Sequence, residues 1–401
     1  MKNGWQTKKL GEICQFRGGG TPSKAVESYW LGNIPWVSPK DMKFDVVSDS
    51  IDHISQEAIG GSATSLIPKD SVLMVVRSGI LARTVPIAIT GRALTINQDL
   101  KALCPNGTVD ARFLYHLLDS KMELLLSMVS RGATVHRLMT DQIRDLDFVL
   151  PPLPEQRRIV GLLDEAFAGL ATAKANAEKN LQNARALFES HLNEVFTKRG
   201  EGWVETTLAE ATAGVFTGPF GSLLHKHDYV QNGIPLINPA HITKTGIEPD
   251  LRKTVSADTA KRLENYIMHE GDVVIGRRGE MGRCALITEV EDGWLCGTGS
   301  FHIKPSNRCD MGYLVRYLRS DGCRKQLEML AGGAVMPNLS NTALGGLFIC
   351  LPPILQQKKI VDGIDSLHEE TRRLTTIYTR KLAALNSLKK SLLHQAFTGK
   401  L

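Results

Sequence analysis

No cysteine in this 401-residue chain has a neighbouring cysteine to work with. The seven (Cys14, Cys104, Cys284, Cys296, Cys309, Cys323, Cys350) are scattered, odd in number and free of any Cys-x-x-Cys pair. That set is neither a disulfide framework nor a zinc site, so reduced, packed thiols are expected. Long apolar runs are also missing. None approaches the roughly 18 uninterrupted residues of a membrane span, and the opening MKNGWQTKKLGEI has no apolar stretch with a small-residue cleavage site. The expectation is a cytoplasmic protein without membrane contact. Aromatic residues are sparse at 6%, but 42% hydrophobic and 22% charged residues are ordinary for a folded soluble chain, which excludes disorder, collagen and low complexity.

Catalytic patterns are absent too. The phosphate loop GxxxxGK[ST] does not occur, since the one Gly-Lys pair is Gly399-Lys400 before Leu401. Pro249-Asp250 could open a magnesium-dependent nuclease pattern, but no acidic-x-Lys follows at a useful distance. GRRGEMG (276–282) is glycine-rich and follows a strand, yet it reads GxxGxxG without an acidic ribose partner. It is a turn. His225-Lys226-His227 places two imidazoles two residues apart with no further ligand pair nearby, so no metal is expected there.

Repetition is what the sequence has in abundance. GWQTKKLGEI at Gly4 matches GWVETTLAEA at Gly202, and NIPWVSPKDM matches GIPLINPAHI. SVLMVVRSGILAR matches DVVIGRRGEMGR, placing Arg77 on Arg277 and Arg83 on Arg283. FVLPPLPEQRRIVGLL matches FICLPPILQQKKIVDGI, pairing Gln156 with Gln357. Four collinear matches make the chain a duplicated module. Each copy has about 150 residues of mixed structure followed by about 45 of helix. The expected division is 1–152 and 200–353 for two α+β domains, with helices over 153–199 and 354–401.

The first helix carries a seam Ile159, Leu163, Ala166, Leu170, Ala173, Ala177, Leu181, Ala184, Phe188, His191, Val195, spaced 4-3 with one 4-4 step at Ala177. Shifted by 201, the second gives Ile360, Ile364, Leu367, Thr371, Leu374, Tyr378, Leu382, Leu385, Lys389, Leu392, Ala396. Both are coiled-coil patterns with a shared stutter. The first helix, about 65 Å long at 1.5 Å per residue, leaves one domain and reaches the other, so the second can pair with it only by returning antiparallel. In the domains, SVLMVV, VPIAIT and DVVIG read as strands, and ARFLYHLLDSKMELLLSM and MGYLVRYLRSDGCRKQLEML as one helix each.

Net charge is +6, with 48 basic against 42 acidic residues, and the excess sits in residues 352–401, with 9 basic against 4 acidic. Charge alone permits a polyanionic partner without showing one. Three polar loops recur. GGGTPSK (with Thr21 and Lys24) corresponds to TGPFGSLL (with Ser222), either a backbone cradle for phosphate or a tight turn. Arg77, Ser78 and Arg83 correspond to Arg277, Arg278 and Arg283, placed to read guanine edges or clamp phosphates, or to form surface ion pairs. RGATVHRL (with Thr134, His136 and Arg137) corresponds to GGAVMPNL (with Asn338). Two copies of three such loops imply a bipartite binding surface.

GGTPS, IPWVSPKDM, RSGxxA, GATVHRL, LPPLPEQ and the long helix that follows, all repeated in order, resemble the DNA-specificity subunit of type I restriction-modification systems over the whole chain. The resemblance implies two target-recognition domains, each reading one half of an interrupted double-stranded DNA site. It implies no catalysis and no cofactor in this chain. Two methylation subunits would bind S-adenosylmethionine, and restriction subunits would use ATP and magnesium. Domain 2 departs from the pattern, with TGPFGS for GGTPS and GTGSFHI for INQDLKAL, which implies that the halves read different bases. One alternative is a stand-alone adenine methyltransferase, but no Asn/Asp-Pro-Pro-Tyr/Phe motif occurs, every Pro-Pro here following Leu. The other is a coiled-coil scaffold whose ends bind protein.

Overall fold

The computed structural model describes residues 4–198, 200–220, 223–243, 245–332 and 338–401. The chain divides into two units, Met1–Ala177 with Arg380–Leu401, and Glu178–Thr379. Two helices dominate, Leu153–Thr197 and Ile354–Phe397. Each unit thus contains the start of one long helix and the end of the other. The architecture is two similar α+β domains joined by two long antiparallel helices.

The α+β part of the first unit, domain 1, is built on a five-stranded sheet ordered Cys14–Gly18, Leu100–Pro105, Val72–Val75, Ile87–Thr90, Val46–Val47. All neighbours are antiparallel except the last pair. The central strand Val72–Val75 is apolar throughout and 0% exposed at every residue, because the sheet is covered on both faces. Helix Ala111–Ser120 packs on it, capped by the Asp110 carboxylate, which accepts from the Arg112 and Phe113 amides. A second, three-stranded sheet pairs Ile34–Val37 antiparallel with Asp52–Ile54 and parallel with Thr95–Ile96.

Domain 2 repeats this plan. Gly214–Thr217, Ser300–Lys304, Val273–Gly276 and Cys284–Leu286 form an antiparallel sheet in the same order, and Ile234–Ile237 pairs antiparallel with Thr254–Val255 and parallel with Leu295–Cys296. A fifth strand equivalent to Val46–Val47 is not among the strands described for this sheet. Each apolar run expected to be one helix forms two. Ala111–Ser120 gives way at Lys121 to Met122–Ser127, and Met311–Arg319 breaks at Ser320 before Asp321–Leu330. Ser320 is extended (ψ 149) and its hydroxyl accepts from the Cys323 amide, so the serine caps a new helix and does not continue the old one.

The repeated Leu-Pro-Pro-x-x-x-Gln motif has a single mechanical meaning in both copies. Gln156, fully buried in the first turn of the first long helix, accepts from the Asp110 amide (2.8 Å) and donates to the Thr108 and Pro151 carbonyls (3.1 and 2.9 Å). Gln357 accepts from the Asp310 amide (2.7 Å) and donates to the Arg308 and Pro352 carbonyls (3.0 and 2.8 Å). One amide side chain satisfies three main-chain groups that burial would otherwise orphan, tying each long helix to the loop that starts its domain's packing helix.

The coiled-coil seam lies inward. Every seam residue of the first helix is buried or half-buried. In the first unit Ile159 and Leu163 share a core with Leu393 and Ala396 from the end of the second helix. In the second unit Phe188 meets His368, ring centroids 4.8 Å apart. The second seam fails at one position. Lys389 is exposed, its ammonium 3.2 Å from Asp119 and 5.2 Å from the centre of the Phe167 ring, and Leu393 takes the buried place beyond it. A lysine reaches solvent more cheaply than it loses its charge in a core. All seven cysteines are free and buried. No helix among the described residues is long and apolar enough to cross a membrane, and no described group of His, Cys, Asp or Glu could hold a metal ion.

Candidate nucleic-acid interface

Strand direction gathers the recurrent loops of domain 1 at one end of its large sheet. Cys14–Gly18 runs toward that end, Leu100–Pro105 starts there, Val72–Val75 finishes there, and Ile87–Thr90 departs from it. The 18–24 loop, the 97–99 turn and the 77–86 segment therefore project together. His136–Arg137 joins them by pairing antiparallel with Arg77–Ser78 in a two-stranded ribbon, His136 opposite Ser78 and Arg137 opposite Arg77.

The 97–99 turn is the hub of this cluster. Arg77 Nε lies 2.9 Å from Asp99 Oδ1, and the Asp99 carbonyl accepts from the Val76 and Arg77 amides. Thr21 donates its hydroxyl to Gln98 Oε1 (2.5 Å), and Asn97 Oδ1 accepts from the Asp99 amide (3.0 Å). Lys24, Arg83, Thr134 and Arg137 are exposed, and His136 is half-buried. The Ser78 hydroxyl accepts from the Ile80 amide, starting the tight turn that carries Arg83. The glycines of GGGTPSK serve packing: a Cβ on Gly19 would lie 2.0 Å from the Ile96 carbonyl oxygen. The Gly20 carbonyl accepts from Trp36 Nε1 and the Thr64 hydroxyl.

Domain 2 builds the same end from different chemistry. Asn338 Oδ1 accepts from Arg277 Nε (3.2 Å) and Arg278 Nε (3.4 Å), and the Leu339 amide donates to the Arg277 carbonyl (2.9 Å). No carboxylate among the described residues is paired with either arginine. Arg277 is half-buried, its Cζ 5.4 Å from the centre of the Phe301 ring. That partial burial, with Arg278 beside it, pushes its pKa below the ordinary arginine value. Arg283 is engaged by the scaffold at both ends, with Pro239 O at 3.3 Å and Glu280 Oε2 at 2.6 Å. Gly218 repeats the close approach of Gly19, its Cβ position 1.9 Å from the Gly297 carbonyl oxygen. Ser222 lies outside the described residues, as does 333–337.

The ladders correct the sequence alignment. Leu100 faces Val75 whereas Ser300 faces Gly276, so Val76 is the counterpart of Arg277 and Arg77 that of Arg278. One residue of slip inverts which face a side chain takes. This is why Arg277 is half-buried where Val76 is buried, while Arg77 and Arg278 are both exposed. Arg283 likewise corresponds to Pro86 and not Arg83: the Gly276 amide donates to the Arg283 carbonyl as the Val75 amide donates to that of Pro86. The alignment failed because the hairpin loop is shorter in domain 2.

Asn97, Gln98 and Asp99 lie at the centre of the domain 1 cluster although no repeated motif singles them out. The signal is present, since INQDLKAL is one of the two places where domain 2 departs from the repeated pattern. His225 and His227 stack on each other at 5.4 Å, and Asp250 is paired with Arg252 at 2.9 Å.

A family model described as Type I restriction modification DNA specificity domain matches residues 2–181 and 215–383. The EcoR124I/EcoR124II specificity subunit of Escherichia coli is 39% identical over 163 residues, spanning 40% of this chain and 40% of that one. The MjaIX specificity subunit of Methanocaldococcus jannaschii is 23% identical over 418 residues, 99% of this chain and 93% of its own length. The HsdS subunit from Thermoanaerobacter tengcongensis has the same fold, with a TM-score of 0.67 at 19% identity, covering 100% of this chain and 98% of that one. A chain solved in a study of assembly and conformational transition of the type I R-M system gives 0.75 at 20% identity, covering 100% and 99%. With two matches that together take in most of its residues, and with both domains built on one plan, the chain belongs to the type I restriction-modification DNA-specificity family.

Proposed function

We propose that each α+β domain reads one half of a bipartite double-stranded DNA site through the sheet end that carries its arginine ribbon. The observation that supports this most directly is the repetition of one scaffold with an exposed arginine at the same ladder position, Arg77 and Arg278, beside loops of different chemistry. As a member of its family the chain is a DNA-recognition subunit with neither catalysis nor a cofactor of its own. Methyl transfer belongs to two methylation subunits that carry S-adenosylmethionine, docked on the long helices. Cleavage belongs to restriction subunits using ATP and magnesium. Thr21, Lys24, Ser78, Arg83, Thr134, His136, Arg137, Ser222, Arg277, Arg283 and Asn338 complete the reading surface, whose guanidinium forks suit guanine edges and phosphates.

Exchange of residues 203–350 for the matching segment of another family member tests this. Mapping of methylated adenines in a genome expressing the hybrid should show one half of the site replaced and the other unchanged. Replacement of both halves would make the two domains one composite reader. The helices would act as the ruler between half-sites. A seven-residue insertion in both, near Ala175 and Thr376, keeps the seam and adds about 10 Å, roughly three base pairs at about 3.4 Å each. The methylated site should keep its half-sites and gain spacer. Methylation at the original spacing would show that the helices only tether the domains.

A further inference from the structure

Phe44 is the one aromatic side chain fully presented to solvent in domain 1 among the described residues, 74% exposed. Exposing a phenyl ring forgoes the gain from burying it, and a mobile loop would let the ring fold down onto the surface. This loop is pinned on both sides of it. The Lys43 amide donates to the Asp41 carbonyl (2.8 Å), and the Asp45 carbonyl accepts from the Ile89 amide (2.8 Å). The Asp45 carboxylate accepts from the Tyr115 hydroxyl (2.7 Å). Asp41 in turn accepts from the Ser38 amide and hydroxyl and from the Ile51 amide. Hydrogen bonds on either side of Phe44 thus fix the loop that holds the ring in water.

Its place in the sheet gives the ring a purpose. Val46–Val47 runs parallel to Ile87–Thr90, so the chain before it, residues 44 and 45, lies toward the end from which Ile87–Thr90 departs. That is the end carrying the Arg77 ribbon. Val46–Val47 has no counterpart among the strands described for the domain 2 sheet, where the Thr243 amide donates to the Gly246 carbonyl at 2.8 Å. Where the described strands of the two copies differ, the bases they meet can differ too.

We infer that Phe44 is a specificity-determining contact of domain 1, packing its ring on the apolar surface of the bases in that domain's half-site. This rests on the assignment of the Arg77 end as the DNA-reading end. Two base surfaces share that chemistry, the 5-methyl group of thymine in the major groove and the exposed face of an opened base step.

The test uses the chain assembled with its methylation subunits and a duplex bearing the site read from methylated adenines. Phe44→Ala should weaken specific binding roughly tenfold, the scale of one lost ring contact to a base. The slope of affinity against salt should stay unchanged because no charge is removed. Phe44→Leu should recover most of the loss. Replacing thymines of the half-site by uracil one at a time should reproduce the loss at one position if the methyl is the contact. A 2-aminopurine reporter should brighten with the parent chain and not with Phe44→Ala if a step is opened. Arg77→Ala is measured alongside. If Arg77→Ala weakens binding and Phe44→Ala does not, the inference fails while the reading end stands. If neither weakens binding, both fail. If Phe44→Ala no longer co-purifies with the methylation subunits, the ring belongs to a protein interface and the inference is overturned.

Discussion

The two domains place an exposed arginine at the same ladder position and surround it differently. Arg77 is held by the Asp99 carboxylate at 2.9 Å, whereas Arg278 shares the neutral amide of Asn338 with Arg277. In domain 1 the positive charge is compensated and aimed; in domain 2 two positive charges stand together without a described counter-ion. A carboxylate partner fixes the guanidinium fork and lowers its pull on a distant polyanion, while an amide orients without neutralising. The comparison teaches that one scaffold can hold the same residue type against a carboxylate in one copy and against a neutral amide in the other.

The largest expected effect tests what the domains share. Gln156→Ala and Gln357→Ala each leave a buried amide and two carbonyls without partners, so each should cost about 3–5 kcal/mol of stability. Denaturant unfolding followed by hydrogen exchange in each domain measures this. Unequal losses would show that the two clamps differ in spite of matching geometry.

Acidification should separate the domains next. His302 lies in the middle of the domain 2 sheet, 1% exposed, at the ladder position of Ala102. Burial first, and then Lys304, pull its pKa down to about 4. The folded state therefore binds fewer protons than the unfolded chain between about pH 4 and 6.5. Stability is fully present above 6.5 and is lost as pH falls through that window, by about 2–3 kcal/mol. Domain 1 has its own buried histidine, His116, also lowered mainly by burial but opposed by Asp164, so its loss should be smaller. Urea midpoints for each domain from pH 4 to 7, with His302→Ala as the control, check the difference. A domain 2 limb that survives in the variant would assign it to other groups.

The smallest effect separates aiming from anchoring. Arg77→Ala should cost about 1–3 kcal/mol in binding to the specific duplex with most of the loss confined to that sequence, and Arg278→Ala should weaken binding to all duplexes and lower the salt slope by about one. Titrations at several salt concentrations on specific and scrambled duplexes read both. Identical behaviour of the two variants would erase the distinction drawn from Asp99 and Asn338.

Much of this was legible in the residues. The duplication, the α+β character of both copies, the two long helices and most of their buried seam follow from collinear motifs and heptad spacing, which are local properties that survive without tertiary contacts. Two of the recurrent loops also meet in space: Arg77, Ser78, His136 and Arg137 pair in one ribbon. Sequence spacing could not show that Lys389 leaves the seam, because Asp119 and Phe167 are far from it in sequence. Nor could it align Arg277 correctly, because two arginines in a row give similar matches in either register and only the strand ladder chooses between them.

What the sequence alone determined is the plan: two copies of one module, two long helices, and three recurrent polar loops. Tertiary structure decided which of those residues act together. Strand direction, fixed by hydrogen-bond pairing across the sheet, carried the loops to one end. The burial of Gln156 and Gln357 turned a repeated motif into a clamp. A single residue of ladder slip placed Arg277 against Phe301 and left Arg278 facing solvent. Each outcome depends on contacts between residues distant in the chain, and it is in such contacts that the two copies of the module diverge.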